Sequence, residues 1–436
     1  MWSSKPLDRG RSQALALPPV GRPRTDVTDG SRWLALVYAV ALGCLLFNLV
    51  LAFVNTRVAG ISPNHVMLAE VALIGAALLL VLDRQAAFYA VLVVYFAYMA
   101  LILTMRPELD LKAVRDALIP IVFYFLGRRM TDIRDVDRLV MWSAGVVVLV
   151  ALVEYLFFDT FIANVNIFDY YVARGTVEQG DNFLEDSKLF ISGVRMEGRN
   201  FLAFLGTHRV SSVFLEPVSM GNFGAFLLMW ALFRADMARR WLLVAAAAAI
   251  IVLGDARFGM FVCLAFLAVA PFYRLAPRAV LLLAPVMVAL ALAIYGSSTG
   301  QVVWEDNLAG RWLHSARLLL KLDWAAGFGV SPEDLFLADS GYAYTLHQIG
   351  LVGALGLWAA YVFAGVKADR AWQFKVLTVT YICLLMIVSN SLYSIKTAAL
   401  LWICAGAADV WAGPAGARRP ARSKPAPDVA RYSASR

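Results

Sequence analysis

Along the chain, apolar stretches close to membrane-spanning length alternate with short charged ones. A membrane helix needs about 20 mostly apolar residues. Twelve segments meet or approach that requirement: 33–54, 65–82, 86–104, 113–127, 139–158, 212–233, 241–254, 258–273, 279–296, 342–365, 376–390 and 396–412. The pattern predicts an all-α polytopic membrane protein of about 12 transmembrane helices. Its membrane domain covers 33–412. Residues 1–32 are rich in Pro, Ser and Arg without periodicity and read as a disordered tail. They do not read as a signal peptide, because the apolar segment that follows is too long and no small-residue cleavage site comes after it. Residues 413–436 form a second, basic, Pro/Ala-rich tail.

Composition agrees with the pattern. Hydrophobic residues make up 61% of the 436 positions and charged residues only 16%, against about a quarter charged in soluble domains. Most of the 39 Lys and Arg residues fall in the tails and in alternate short loops. By the positive-inside rule both termini are then cytoplasmic. The net charge of +8 is a topology signal. Its scatter over short loops and tails argues against a nucleic-acid partner. Cys44, Cys263, Cys383 and Cys404 all lie within apolar segments, so neither a disulfide nor a zinc site is expected. The layout fits a bacterial inner membrane.

Two connections are long, about 159–211 and about 297–341, and both fall on the outer side. Loops of that length are functional or disordered. The aromatic and aliphatic content of "NIFDYY" and "NFLAFLG" points to short helices at the outer surface. "WLHSARLLLKLDW" (Trp312 to Trp324) reads as an amphipathic helix, either flat at the interface or packed on its neighbours. No internal repeat is visible, which argues against a transporter built from two similar halves.

Ionisable residues in membrane segments are costly and usually functional. Here they gather at the outer ends of spans. "HRVSSVFLEPVSMGNFGAFLLMWALF" places Glu216 a few residues into the sixth span, with His208 and Arg209 above it. "GDARFG" holds Asp255 and Arg257 in the turn between spans seven and eight. The second long loop carries Arg311, His314 and Arg317, and His347 lies in the first turns of span ten. Together they describe a polar site facing outward. Arginine suits phosphate oxygens and stays charged when desolvated, so the set points to a lipid-linked phosphate or pyrophosphate. Arg195, Arg199 and Arg317 read first as headgroup contacts or structural ion pairs. Arg257 can also pair with Asp255 or Glu216.

"RVSSVFLEPVSMGNFGAF", "GDARFGMFVCLAF", then "GRW", "WAAGFGV" and "DSGYAYTLHQIGLVGALG" occur in this order. The series resembles the bacterial O-antigen polymerase/ligase family over roughly residues 205–360. The Glu216-Pro217 pair looks most like its exopolysaccharide, xanthan-type polymerase branch. In the ligases a His-Asn pair stands about 11 residues before the Gly-rich turn. Here Asp339 and Ser340 stand there, which favours a polymerase. The resemblance implies a GT-C-like architecture and periplasmic chemistry. A sugar hydroxyl on one lipid-linked oligosaccharide attacks the anomeric carbon of another, and polyprenyl pyrophosphate leaves. Arg209, Arg257 and Arg311 are the implied site arginines, stabilising the leaving group. Glu216, with a raised pKa, or Asp339 is the base. His208, Asp255, His314, Tyr342 and His347 complete the substrate-binding candidates with Arg209.

No nucleotide, metal or other cofactor is implied. Besides the bilayer and the lipid-linked substrate, a chain-length regulator or export complex is a conceivable partner. Pro217 would open the helix beside Glu216 towards a polar cavity, and Gly221 and Gly224 would admit a close helix. Alternatively, Glu216 pairs with an arginine to hold spans six and seven together. Three further readings compete: a ligase of the same family, a flippase or transporter of lipid-linked glycans, and a scaffold. A flippase needs charges deep in several spans, whereas here the middles of spans 1, 3, 9 and 12 are apolar. A scaffold leaves the outer cluster unexplained.

Overall fold

A computed structural model describes residues 27–413 except 84, 108, 182–186, 196–200, 301–307, 332–336 and 338. Most of the two tails, and Arg199, lie outside the described residues. Those described form helices and no strand.

The first five helices run almost without pause: α1 (Val27–Arg57), α2 (Pro63–Val81), α3 (Ala86–Met105), α4 (Leu111–Arg129) and α5 (Ile133–Leu156). Their starts carry ordinary capping signals. Asp110 and Asp132 accept from the first free backbone amides of α4 and α5, and Pro63 follows Ser62 at the start of α2, where the missing N–H costs nothing. The first long connection holds α6 (Phe158–Asn164) and α7 (Ile167–Ala173), followed by single 3-10 turns. Then come α8 (Pro217–Phe233), α9 (Arg240–Leu253), α10 (Arg257–Val269) with a 3-10 extension to Leu275, and α11 (Arg278–Ser298). The second long connection holds α12 (Leu308–Lys321) and α13 (Trp324–Gly327). The chain finishes with α14 (Gly341–Phe363), α15 (Asp369–Val388) and α16 (Ile395–Val410).

Each of the twelve apolar segments holds a helix, although the sixth becomes α-helical only from Pro217. Among the described residues, eight helices are long and apolar enough to cross a membrane: α1, α2, α3, α5, α10 with its extension, α11, α14 and α15. Large apolar side chains cover the outside, among them Val93 and Val94 of α3, Leu264 of α10 and Met287 of α11. That is the surface a bilayer requires. By contrast α8 and α16 are almost wholly buried, as helices at the centre of a bundle are. All four cysteines are free thiols.

Short connections make neighbouring helices antiparallel, so the bundle has one end that bears both long loops and one that does not. At the loop-free end two ion pairs are buried, while others such as Arg274–Asp369 stay exposed. Arg234 holds Asp137 at 2.9 Å and Asp236 at 2.8 Å. Lys375 sits 2.9 Å from Asp409 with no exposed side-chain surface. Lys375, just before the apolar run 376–390, lies inside α15, which begins about two turns before that run.

The amphipathic segment 312–324 folds as α12, α13 and the short link between them. It is packed rather than free: Leu313, Ala316 and Leu318 are buried, and α12 lies against α11, α14 and α15. In α14, Gly350 breaks the helical conformation at φ 63, a value that favours glycine. The kink releases two carbonyls, and Arg106 takes them both: it donates to His347 O at 2.9 Å and Gln348 O at 2.7 Å, as well as to Gly329 O at 2.8 Å.

Candidate functional site

The sixth apolar segment is not one helix. Residues 208–216 re-enter the bundle as extended chain and a 3-10 turn, and α8 begins only at Pro217. Glu216 is therefore the residue before the helix, not a few residues inside it. Pro217 starts α8 rather than opening it. The re-entry turns on Ser212 and Leu215, at φ 52 and 61. Glu154, fully buried at the end of α5, pins it. Its carboxylate accepts from the Ser211 amide at 2.9 Å, the Ser211 hydroxyl at 3.0 Å and the Ser212 amide at 2.5 Å.

This turn delivers Arg209 to a cavity of about 580 Å³. Arg209, Arg257 and Arg311 all line it, on three separate elements. Arg209 comes from the re-entry, and donates to Gly254 O at 3.0 Å, Ser192 O at 3.0 Å and Asp255 O at 3.1 Å. Burial pulls its pKa down to about 10. Asp255 opposes the shift, while Arg257, Arg311 and Arg195 add to it. Arg257 opens α10 and lies over the Phe201 ring at 5.7 Å; among the described residues it pairs with no carboxylate, so neither Asp255 nor Glu216 is its partner. Arg311, on α12, stands 3.9 Å from Asp339. The remaining walls are mostly apolar and run down α10 through Phe261 to Leu264, about 10 Å below Arg257 at 1.5 Å per residue. Leu264 is exposed on the outside of the bundle, so the cavity joins a cationic head to a lipid-facing flank.

Gly221 and Gly259 set the position of Arg257. A Cβ on Gly221 would overlap that of Ala256, and one on Gly259 would come within 2.7 Å of the Gly221 carbonyl. Only glycine lets α8 and α10 approach this closely. Gly224 plays the same part towards α9, where a Cβ would meet Ile251 at 2.9 Å.

Several sequence candidates are placed elsewhere. Asp255 belongs to the turn before α10, at φ 43; its carboxylate accepts from the Leu202 amide at 3.3 Å. His208 stacks on Phe158 with ring centroids 3.9 Å apart. Burial, with Arg195 alongside, lowers its pKa to about 4. Tyr342 does not line the cavity and donates to Cys383 O at 3.1 Å. His347 sits at the α14 kink, and His314 lies on α12 without lining the cavity.

Glu216 faces away from the arginines. It accepts from Tyr171 at 2.5 Å and Ser219 at 2.7 Å, and Lys396 lies 3.4 Å away. Every one of these partners favours the charged carboxylate. The raised pKa that a base at this position would need has no support in that surrounding.

Glu216 belongs instead to a cluster the sequence reading missed. Arg115 pairs with Glu70 and, at 2.6 Å, with Asp116. Arg174 stands 3.8 Å from Glu70, and Tyr344 donates to Asp116. The signal was present: Glu70, Arg115, Asp116 and Glu154 are ionisable residues inside apolar segments, the feature that marks function in membrane helices. No family model, curated protein or solved structure matches the chain.

Proposed function

We propose that the protein is a polysaccharide polymerase of the bacterial inner membrane. In this reading all twelve segments cross the bilayer in a GT-C-like arrangement, both termini are cytoplasmic and the loop-bearing end is periplasmic. It extends a glycan carried on polyprenyl pyrophosphate by one lipid-linked repeat unit at a time. The supporting observation is the convergence of Arg209, Arg257 and Arg311 on one cavity whose other walls are apolar and reach the lipid-facing side of α10. A pyrophosphate joined to a long isoprenoid tail has this division of charge and grease.

The acceptor hydroxyl attacks the anomeric carbon of the donor sugar, and the bond from that carbon to the pyrophosphate oxygen breaks. Charge builds on the departing pyrophosphate, where guanidinium groups already in place stabilise it without reorganising. The hydroxyl proton goes to a carboxylate. Asp339 suits this role better than Glu216, because it adjoins the cavity through Arg311. At 3.9 Å that pair is loose, and an arriving pyrophosphate competes for Arg311 and releases the carboxylate.

The test is complementation of a strain lacking its own exopolysaccharide polymerase, with lipid-linked saccharides sized on each face of the membrane. Wild type restores long chains. Arg257→Ala and Arg311→Ala, present at normal membrane levels, leave single repeat units on the outer face. Accumulation on the inner face would make the protein a flippase. Long chains stranded on the lipid carrier would make it a ligase.

A further inference from the structure

On the far side of the first turn of α8 from the arginine cavity, six ionisable residues from five elements meet at the loop-bearing end. They are Glu70, Asp116 and Glu216 with Arg115, Arg174 and Lys396. Burying charge is costly even in pairs, and a set this large within a helical bundle calls for a role beyond fastening. Three carboxylates balance three cations, so unlike the arginine cavity the cluster carries no net charge. It is not sealed either. Side-chain surface stays accessible on Glu216 (26%), Arg174 (24%) and Arg115 (16%), while Glu70, Asp116 and Lys396 are at 6% or less. The accessible faces thus offer both acceptors and donors.

A second observation points to a ligand. Asn48 of α1 is 1% exposed. Its Oδ1 accepts from Tyr170 at 2.6 Å and Arg174 at 3.3 Å, which places its amide in the cluster. Its Nδ2 has no hydrogen-bond partner. Buried polar atoms are rarely left so.

We propose that this cluster is a saccharide-binding site, separate from the pyrophosphate site and one helical turn away from it. Sugar hydroxyls both donate and accept, and they are neutral. A neutral array of alternating carboxylates and guanidiniums, accessible on Glu216, Arg174 and Arg115, matches them and offers a phosphate no net attraction. Val218 lines the arginine cavity and Glu216 lies two residues before it. A sugar held by Glu216 and Arg174 would present its end to the reacting centre. The site would then hold the acceptor repeat unit, an assignment that rests on the polymerase reading.

The test uses full-length protein in nanodiscs and an array of oligosaccharides free of lipid and phosphate. Wild type is expected to bind a subset of them, and inorganic pyrophosphate is expected not to displace it. Arg174→Gln is expected to weaken binding at least about tenfold, the cost of one charge-assisted hydrogen bond. Should that variant fail to fold, hydrogen exchange on wild type decides the matter: bound oligosaccharide should slow exchange in 167–174 rather than in 257–264. Absence of binding to wild type, unchanged binding by Arg174→Gln, displacement by pyrophosphate, or protection confined to 257–264 would each overturn the site. A protein that binds oligosaccharide here yet elongates nothing in cells keeps the site and loses the polymerase reading. One that elongates chains but binds no oligosaccharide here does the reverse.

Discussion

Arg257 and Arg209 share a cavity, yet alanine at each is expected to fail differently. Among the described residues the Arg257 side chain lies over the Phe201 ring and makes no ion pair, so Arg257→Ala should keep the protein at its normal membrane level. It should slow elongation about a hundredfold, the usual loss when one preorganised charge stabiliser is removed. Arg209 ties down three carbonyls. Arg209→Ala strands them at a cost on the order of 3 kcal/mol, and the protein level itself should drop. Immunoblotting of membranes beside product sizing separates the two. His208 makes a different prediction. Its folded pKa of about 4 lies below the unfolded 6.5, so its contribution to stability is complete above pH 6.5 and lost as the pH falls towards 4. The loss reaches about 3 kcal/mol at most. His208→Phe, which keeps the stack on Phe158, should flatten the decline in Tm between pH 7 and 4.5; an equally steep decline would assign the acid sensitivity elsewhere. At this scale the sequence was partly legible. The three arginines stood out because each sat beside a span end. Glu216 misled, because its neighbours Tyr171 and Lys396 lie 45 and 180 positions away and nothing local announces them.

Among elements, the approach of α8 to α10 governs where Arg257 points. Gly259→Ala pushes a Cβ against the Gly221 carbonyl, so α10 must shift and the cavity with it. Elongation should fall at least about tenfold, since small misplacements at a reacting centre cost that much or more. Gly356→Ala is the matching control, because a Cβ there meets nothing within 4 Å; equal losses from both would show that helix contact is not the cause. All twelve apolar segments were legible as helices, since hydrophobic run length is written directly in the chain. Their starts were less so. α15 begins at Asp369, well before its apolar run, because the buried partner Asp409 offsets the cost of Lys375. α8 begins late because Glu154, far back in the sequence, holds Ser211 and Ser212 in a turn. The kink in α14 was beyond reach, since Gly350 and its clasp by Arg106 involve residues some 240 positions apart.

Taken whole, the molecule is asymmetric along its length. At the loop-free end the ion pairs Arg234–Asp137 and Lys375–Asp409 are buried. At the loop-bearing end lie both the cationic cavity and the neutral polar cluster. That asymmetry suits a catalyst working from one side of a membrane better than a carrier working across it. The gathering of the three arginines at the loop-bearing end could be read from the sequence. The division of that end into two sites could not, because it depends on which side of one helical turn each side chain falls. The decisive measurement is elongation by the purified full-length protein in liposomes, supplied with lipid-linked repeat units extracted from the polymerase-deleted strain. A ladder of products differing by one repeat, with polyprenyl pyrophosphate released at each step, is the predicted result. Repeat units that cross the bilayer but remain single would contradict it.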